Sequence, residues 1–451
     1  MPSKRRTIST SLLTFLVLLL GCVSCVELEP PEPEEPDTDV PVERRPDPTL
    51  DLPSLDAFLP SWERIHEVDD DQHVVDIAVD SQGDIVVLIY HRPTTYPDGT
   101  CTRVTKYSPA GDERWSRTVA NTGPEGTRPC ASPDGVAIDP DDNIVIVGTG
   151  SVGSISNFHI FVAKLDSNGN DVWSRHVGGG LGMAVAVDGG GNVYFGGDTD
   201  GQDSYLAKFD PDGNLLWEHI GTVQGYLRAL AVFPDDDVAV RYSVHDHYTE
   251  GGAPRGYSLR RLDPQGDVVW TIEDLDRNYP TPGRLVTSQE GDLYTSGALA
   301  AGTPMVRKYD GLSGAHVWTT GVSQGDVLSH GVEVISTGLS RMAIAADGTL
   351  WFGGSVKTLP PFEDRCPPFD PEEDVDCSNP ISAHALLHGY SPDGELIAAR
   401  THDGAGSASS IAVLNDDQVV LGGCVLADVE YVDCADAWIG VVDLAGAPAE
   451  P

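Results

Sequence analysis

The chain has 451 residues, and its 28 lysines and arginines stand against 70 aspartates and glutamates, which gives a formal net charge of −42. Such an acidic balance argues against nucleic acid as a partner, because nucleic-acid binding needs basic patches. The 49 glycines and 33 prolines interrupt the chain so often that no stretch after the N-terminal segment keeps a helical period for three turns. The composition therefore predicts an all-β protein.

Residues 1–21 have the features of a secretory signal peptide. A basic run at 4–6 is followed by an apolar core of nine residues at 12–20, which is too short to span a membrane. The segment ends in Leu-Leu-Gly-Cys at Cys22, and this ending resembles the lipobox of bacterial lipoproteins. The resemblance implies cleavage before Cys22 and a diacylglycerol on its sulfur. Because Val23 rather than an aspartate follows, it also implies a cell-envelope lipoprotein of the outer membrane, on the periplasmic side or at the cell surface.

Residues 22–60 are predicted to be a disordered tether. Prolines and acidic residues dominate this segment, as in EPPEPEEPDTD (29–39), so it cannot bury enough apolar surface to fold. A Pro-rich chain that rises about 3 Å per residue would hold the folded part up to roughly 100 Å from its lipid. The alternative, that the segment is itself a recognition element, stays open.

Repeated units make up the rest of the chain. Five times a glycine is followed four residues later by a tryptophan, and each pair closes a unit of about 40–60 residues. Within one unit, alternating apolar runs are broken by turns rich in Asp, Gly, Asn and Pro, as in 183–197 and 205–220, which indicates strands and hairpins. Each unit is therefore expected to be a four-stranded antiparallel meander, the structure of a propeller blade. The residues predicted to pack between blades are Trp62, Trp115, Trp173, Trp217, Trp270 and Trp318.

The seventh unit reaches the C-terminus without a fourth strand. Residues 61–68 (SWERIHEV) look like the fourth strands of the other units, yet no third strand precedes them. The sequence therefore predicts a seven-bladed β-propeller over 61–446 whose last blade takes its outer strand from the N-terminus, with a short tail at 447–451. Such closure removes an unpaired strand edge. An open solenoid of repeats is the alternative, but it has no use for a displaced strand.

Seven cysteines follow Cys22, which agrees with an oxidising compartment. Six of them map to one face of the predicted ring, in loops between second and third strands or at the entry to a first strand. They are predicted to form three disulfides: Cys366–Cys377, Cys424–Cys434 and Cys101–Cys130. No pair has the Cys-x-x-Cys spacing of a metal site. Cys25 is left over near the lipid.

The same face, called here the long-loop face, carries the longest loops; they span 91–101, 243–256 and 357–384. Long loops on a rigid ring are where binding usually resides, so a protein or glycan partner is expected there. His245 to His247 in one of these loops would offer metal ligands, but no third ligand accompanies them, and no metal or other cofactor is predicted. Acidic turns such as DSNGND (166–171) lack the spacing of calcium loops and are interpreted as hairpin turns.

The units resemble bacterial β-propeller repeats of the SBBP type, in runs such as FVAKLDSNGNDVW (161–173) and MAVAVDGGGNVYFGG (183–197). They are similar, more loosely, to the tryptophan-bearing repeats of quinoproteins, with KYDGLSGAHVW (308–318) the closest segment. Both resemblances imply a propeller, and neither names an activity, because propellers host unrelated functions. The sequence has neither the adjacent cysteines of quinoprotein dehydrogenases nor a Cys-x-x-Cys-His haem motif.

Two functions of different classes remain. The first is a lipid-anchored binding or scaffold module of the cell envelope, which meets the membrane through its lipid anchor and carries out no catalysis. The alternative is an envelope enzyme that uses the propeller axis: a hydrolase, a lyase or a quinone-dependent oxidoreductase. An enzyme should gather acids, bases or metal ligands at the axis, whereas the first strands are mostly apolar or small, as in 184–187 and 411–413. No catalytic residue is therefore assigned.

Overall fold

The computed structural model of the chain describes residues 56–57, 59–66, 71–92, 101–119, 132–151, 158–199, 203–245, 254–274, 284–298, 304–321, 333–359, 382–402, 406–426 and 434–444. These residues form 28 β-strands and no helix, so the predicted all-β class is confirmed. In the described part of the chain there is no helix long and apolar enough to span a membrane.

The strands assemble into seven four-stranded antiparallel blades, as predicted. Two short strands come first: β1 (Asp56–Ala57) and β2 (Trp62–His66). Blades one and two contain β3 (Asp71–Val79), β4 (Ile85–Arg92), β5 (Cys101–Tyr107), β6 (Glu113–Val119), β7 (Ser132–Ile138), β8 (Ile144–Ser151), β9 (Phe158–Leu165) and β10 (Asp171–Val177). Blades three and four contain β11 (Gly182–Val187), β12 (Val193–Asp198), β13 (Asp203–Phe209), β14 (Leu215–Val232), β15 (Val238–His245), β16 (Pro254–Leu262) and β17 (Val268–Asp274).

Blades five to seven complete the set. They contain β18 (Leu285–Thr287), β19 (Leu293–Ala298), β20 (Pro304–Tyr309), β21 (His316–Gly321), β22 (Glu333–Ile344), β23 (Leu350–Leu359), β24 (Ser382–Tyr390), β25 (Leu396–His402), β26 (Ser407–Asn415), β27 (Gln418–Leu426) and β28 (Cys434–Asp443). One long strand, β14, is shared: its first half pairs with β13 in blade three, and its second half pairs with β15 in blade four.

The first strand of each blade lies at the centre of a closed ring. Each of these inner strands contacts the inner strand of the next blade, in the order β3, β7, β11, β14, β18, β22 and β26, and β26 in turn contacts β3. The cores lie between neighbouring blades; Val86 and Leu88 of blade one, for example, pack in one cluster with Ile144 and Ile146 of blade two. The closed circle of inner strands excludes the open solenoid.

The N-terminal strand closes the ring, as the sequence predicts. β2 pairs antiparallel with β28, with Trp62 opposite Val441 and His66 opposite Ala437. The amide of Ser61 extends this pairing with a 2.7 Å hydrogen bond to the carbonyl of Val441. Blade seven therefore has the order β26-β27-β28-β2, with its outer strand supplied from the other end of the chain.

One strand lies within the segment interpreted from sequence as a tether. β1 pairs parallel with β25, with Asp56 opposite Arg400 and Ala57 opposite Thr401, and it adds a fifth strand to blade six. A strand of two residues is too short to produce a periodic pattern, so it could not be predicted from the sequence. Regular structure thus begins before residue 61.

Candidate functional site

The predicted tryptophans join each blade to a turn of the next blade. Their indole nitrogens donate to turn carbonyls, in the pairs Trp62–Pro109 (2.9 Å), Trp115–Ser167 (3.2 Å), Trp173–Pro211 (3.0 Å), Trp217–Pro264 (3.1 Å), Trp270–Gly311 (2.7 Å) and Trp318–Pro392 (3.2 Å). The repeated glycine lies against the ring of the preceding tryptophan; a Cβ on Gly213 would lie 2.7 Å from Trp173. The glycine of each Gly-x-x-x-Trp pair thus serves the tryptophan of the blade before it.

A buried cation that was not predicted from the sequence accompanies several of these tryptophans. The Lys164 ammonium pairs with Asp139 at 2.7 Å and also donates, at 3.2 Å, to the Pro211 carbonyl that accepts from Trp173. Lys106 and Lys208 repeat the arrangement in blades one and three. The signal was present in the sequence, since these lysines recur two residues before the second hairpin turn of the unit.

The face opposite the long loops, called here the short-turn face, consists of compact hairpin turns whose acidic groups are occupied by the turn itself. Asp166 accepts the backbone amides of Asn168 and Asn170 and the Asn170 side-chain amide, at 2.8–2.9 Å. These bonds, with that from the Asn170 side chain the largest, lower the pKa of Asp166. Across the described residues, no group of three or more His, Cys, Asp or Glu is placed to hold a metal ion.

Most of the predicted site cysteines lie where the structure gives no side chain. Cys424 is buried near the end of β27, opposite Ala437, and β28 begins at Cys434 close by. The side chains of Cys101 and Cys434 are not described, and Cys22, Cys130, Cys366 and Cys377 lie outside the described residues. The three disulfides and the lipid site stay predictions. Of the histidine pair at 245 and 247, for which no metal was predicted, only the backbone of His245 is described, at the end of β15.

Six of the seven inner strands bulge at equivalent positions next to the axis, and β18 does not. Their pairing with the second strands shifts register between Val74/Asp76, Pro133/Gly135, Gly182/Ala184, Leu227/Ala229, Leu339/Met342 and Ala408/Ser410. A bulge inserts an extra residue and redirects the neighbouring side chains. Just inside the bulges lies an axial cavity of about 150 Å³. Its lining residues come from all seven inner strands, and one of them, Arg284, directly precedes its strand, β18.

Four charged residues meet at this cavity: Asp76, Asp134, Arg284 and Arg341, called here the axial cluster. Asp76, Arg284 and Arg341 line the cavity, and Asp134 adjoins the lining residue Gly135. The expectation that the axis is apolar or small holds for Ala184 and Ile411 but is wrong for these positions. The available signal was a charged residue four or five positions before the first hairpin turn of blades one, two, five and six.

Within the axial cluster, Asp76 is fully engaged. One oxygen accepts from the backbone amide of Ile77 at 3.1 Å and from the Ser410 hydroxyl at 3.3 Å. The other accepts from the backbone amide of Val136 at 3.1 Å and pairs with Arg341 at 3.2 Å. This carboxylate therefore ties blades one, two, six and seven together.

Arg341 reaches from blade six past blade seven to blades one and two. Besides Asp76, its guanidinium contacts the carbonyls of Val75 at 3.2 Å and Asp134 at 3.0 Å. The charge of Arg341 is thus matched by a buried carboxylate and two carbonyl dipoles. We assign it a structural role at the axis, since it holds the inner strands of distant blades in one arrangement.

Arg284 differs from Arg341 in having no such partners. Its backbone is held by Ser296, whose hydroxyl accepts from the Arg284 amide at 3.0 Å. Its guanidinium makes no hydrogen bond or ion pair with any other described residue, although it lines the axial cavity. Burial and, next, the charge of Arg341 lower the pKa of Arg284 to about 9. The charges of Asp76 and Asp134 oppose this fall, but among the described residues the guanidinium has no hydrogen-bonded partner.

The carboxyl of Asp134 titrates near neutrality. Burial raises its pKa to about 7, and Asp198 adds to the rise, whereas the charges of Arg284 and Arg341 oppose it. A carboxyl that is protonated part of the time at neutral pH can both donate and accept a hydrogen bond. The axial cluster thus contains one cation without a hydrogen-bonded partner among the described residues, Arg284, and one carboxyl, Asp134, whose charge changes near neutral pH.

Comparison with known proteins supports the fold and nothing narrower. No protein-family model matches the sequence, and no curated protein matches it. Among solved structures, the Dos1 propeller aligns over 86% of this chain and 96% of its own, with 9% identity and a TM-score of 0.51. The WD40 domain of Toxoplasma gondii coronin aligns over 88% of this chain and 90% of its own, with 10% identity and a TM-score of 0.49. The β-propeller domain of the Trilobed protease from Pyrococcus furiosus aligns over 84% of this chain and 100% of its own, with 11% identity and a TM-score of 0.47.

At such low identity these likenesses concern architecture alone. The topology, the closed ring of inner strands and the Dos1 alignment together define the chain as a seven-bladed β-propeller.

Proposed function

We propose that the chain is a binding or scaffold module of the cell envelope, attached to the membrane by a lipid on Cys22, and that it binds at its long-loop face without catalysis. The observation that carries this proposal is the contrast between the two faces of the ring: the longest loops are predicted on the long-loop face, whereas the short-turn face consists of compact turns that bond their own polar groups. The axial cavity lies inside the ring, since its lining residue is the fourth of seven in β7 and the fifth of nine in β26.

The short-turn face has a cavity of about 210 Å³ lined by Phe233, Arg261 and Leu312, but its hairpin turns leave few polar groups unbonded for a partner. Its turns satisfy their own polar groups, as at Asp80, whose carboxylate accepts the amides of Gln82 and Asp84 at 2.9 Å. The same carboxylate is also paired with Lys106 at 2.6 Å. Acidic groups that are already bonded in this way have little capacity left for a ligand. This asymmetry supports binding at the long-loop face.

Disulfides that stiffen the long-loop face belong to the same proposal. Cys424 is buried opposite Ala437, and Cys434 lies a short distance back along the strand that contains Ala437. Such a position is compatible with a bond across neighbouring strands. A stiffened loop loses less entropy when it binds, which is the advantage of preorganisation. Cys366–Cys377 and Cys101–Cys130 are proposed on sequence grounds alone.

The test is capture of partners from envelope extract by the full chain. One variant replaces 363–378 by a short Gly/Ser turn, and a matched control, Arg114→Gln, changes a side chain that is 54% exposed on the short-turn face. The loop variant should lose a protein or glycan that both the wild type and the control retain. An identical set of captured molecules from all three would contradict binding at this face.

Asp134 favours a second candidate, an envelope enzyme that works at the axis. A carboxyl whose pKa is raised to about 7 is suited to general acid–base catalysis at neutral pH. Turnover of an envelope glycan or ester by the full chain, abolished in Asp134→Asn and retained in the control Asp166→Asn, would establish this function in place of the first.

A further inference from the structure

We propose that the axial cavity binds the carboxylate of an acidic ligand, with the guanidinium of Arg284 as its principal contact. The inference rests on the binding role proposed above and names the ligand chemistry of that role. The deeply placed arginines differ in whether their guanidinium groups have partners. Arg241 donates to the Ser296 carbonyl at 2.7 Å, Arg261 pairs with Asp237 at 2.6 Å, and Arg307 pairs with Asp274 at 2.9 Å.

Arg284 alone among these cations faces a cavity without a described acceptor. A charged group in the interior is costly unless it is paired and hydrogen-bonded. Its nearest carboxylate neighbours do not supply the pairing, because Asp76 is bonded to Arg341, Ser410 and two backbone amides. The arrangement is explained if an anion from outside completes it.

The charges around the cavity favour a single carboxylate over a more highly charged anion. Asp76 is held as a partner of Arg341, and Asp134 ionises near neutrality, so a dianion would face one or two negative groups. A carboxylate matches the fork of one guanidinium in two parallel hydrogen bonds. The chain's net charge of −42 also opposes the approach of polyanions.

The size and walls of the cavity limit what enters. Its volume of about 150 Å³ is enough for a carboxylate and a few attached atoms. Besides the charged residues, its lining includes the apolar side chains of Ala229, Leu230 and Met342. We infer that the acidic end of a larger ligand, such as a uronic acid residue of a glycan, enters this cavity.

Calorimetric titration of the full chain with sodium glucuronate tests the site. The variants are Arg284→Gln, Arg284→Lys and the control Arg114→Gln, whose side chain is 54% exposed and pairs with Asp84 on the short-turn face. Wild type and control should bind glucuronate equally, and Arg284→Gln should weaken binding about tenfold to a hundredfold, as expected for a hydrogen-bonded charge. Arg284→Lys should fall between, because it keeps the charge and loses the fork.

Thermal unfolding without ligand separates a binding role from a structural one. Arg284→Gln should unfold at the same temperature as the wild type or higher, since it removes a buried cation that has no hydrogen-bonded partner among the described residues; a fall of several degrees would overturn the proposal. Equal glucuronate affinity in wild type and Arg284→Gln, no affinity in the wild type, or stronger binding of inorganic phosphate would also overturn it. If partner capture still depends on 363–378 in that case, the proposed function stands and only the carboxylate site fails.

Discussion

The repeated glycine of the Gly-x-x-x-Trp pairs is required for two separable reasons. Gly213 has φ of +78° and lies against the Trp173 ring. Gly291, in a hairpin turn outside these pairs, has φ of +87° with no atom within 4 Å of an added Cβ. Gly291→Ala should therefore cost only the backbone strain of the left-handed region, about 1–2 kcal/mol. Gly213→Ala should cost more, because the added methyl must also displace the Trp173 ring. Denaturant unfolding of both variants measures the difference, and equal losses would show that the tryptophan contact contributes nothing.

Asp134 should make the stability of the propeller depend on pH. Its pKa is raised from 3.8 to about 7, so between these values the folded state binds more protons than the unfolded chain. The contribution is favourable at low pH and is lost as pH rises through this window, by at most roughly 4–5 kcal/mol at 1.4 kcal/mol per pH unit. Arg284, Arg341, Asp76 and Asp198 face the same region and share in the effect.

Asp134→Asn is expected to remove that dependence and to be more stable than the wild type at pH 8. Unfolding temperatures measured from pH 5 to pH 8 check it, with Asp166→Asn as a control on an exposed turn whose pKa is lowered. Parallel pH profiles for wild type and Asp134→Asn would contradict the assignment of this carboxyl.

At the scale of elements, sequence reasoning succeeded where a pattern recurs. β2 was predictable because SWERIHEV repeats the fourth-strand pattern, and the blades were predictable from alternation and turn chemistry. The axial cluster was not, because the bulges shift register by one residue and a one-residue shift exchanges the two faces of a strand. Periodicity alone therefore could not show which side chains of 74–76 or 133–135 turn toward the axis.

The closing strand should contribute far more to stability than the segment before it. Deletion of 26–55 leaves β1 and β2 in place and should hardly change the unfolding temperature. Deletion of 59–68 exposes the edge of β28 and removes Trp62, which contacts Gly111 and Pro109 of blade one. The expected loss is several kcal/mol, since burying one large apolar side chain contributes about 1.5–3 kcal/mol. Calorimetry of both truncations decides the matter, and equal unfolding temperatures would contradict closure by β2.

For the molecule as a whole, membrane attachment should depend on the lipid alone. Removal of residues 1–21 takes away three of the 28 basic residues, so the mature chain has 25 basic against 70 acidic residues, a formal charge of −45. Such a chain is repelled by anionic lipid surfaces. Acyl chains contribute about 0.8 kcal/mol per buried CH₂, and stable anchoring needs more than one chain, which a diacylglycerol on Cys22 supplies.

Cys22→Ser should therefore abolish incorporation of labelled fatty acid and move the protein from the detergent phase to the aqueous phase in a partitioning assay. Cys25→Ser is the matched control, because it removes a thiol three residues away and leaves the Leu-Leu-Gly-Cys ending intact. It should label and partition like the wild type, since the apolar core and the lipobox-like residues are unchanged. Labelling that persists in Cys22→Ser, or that disappears in Cys25→Ser, would place the lipid elsewhere than on Cys22.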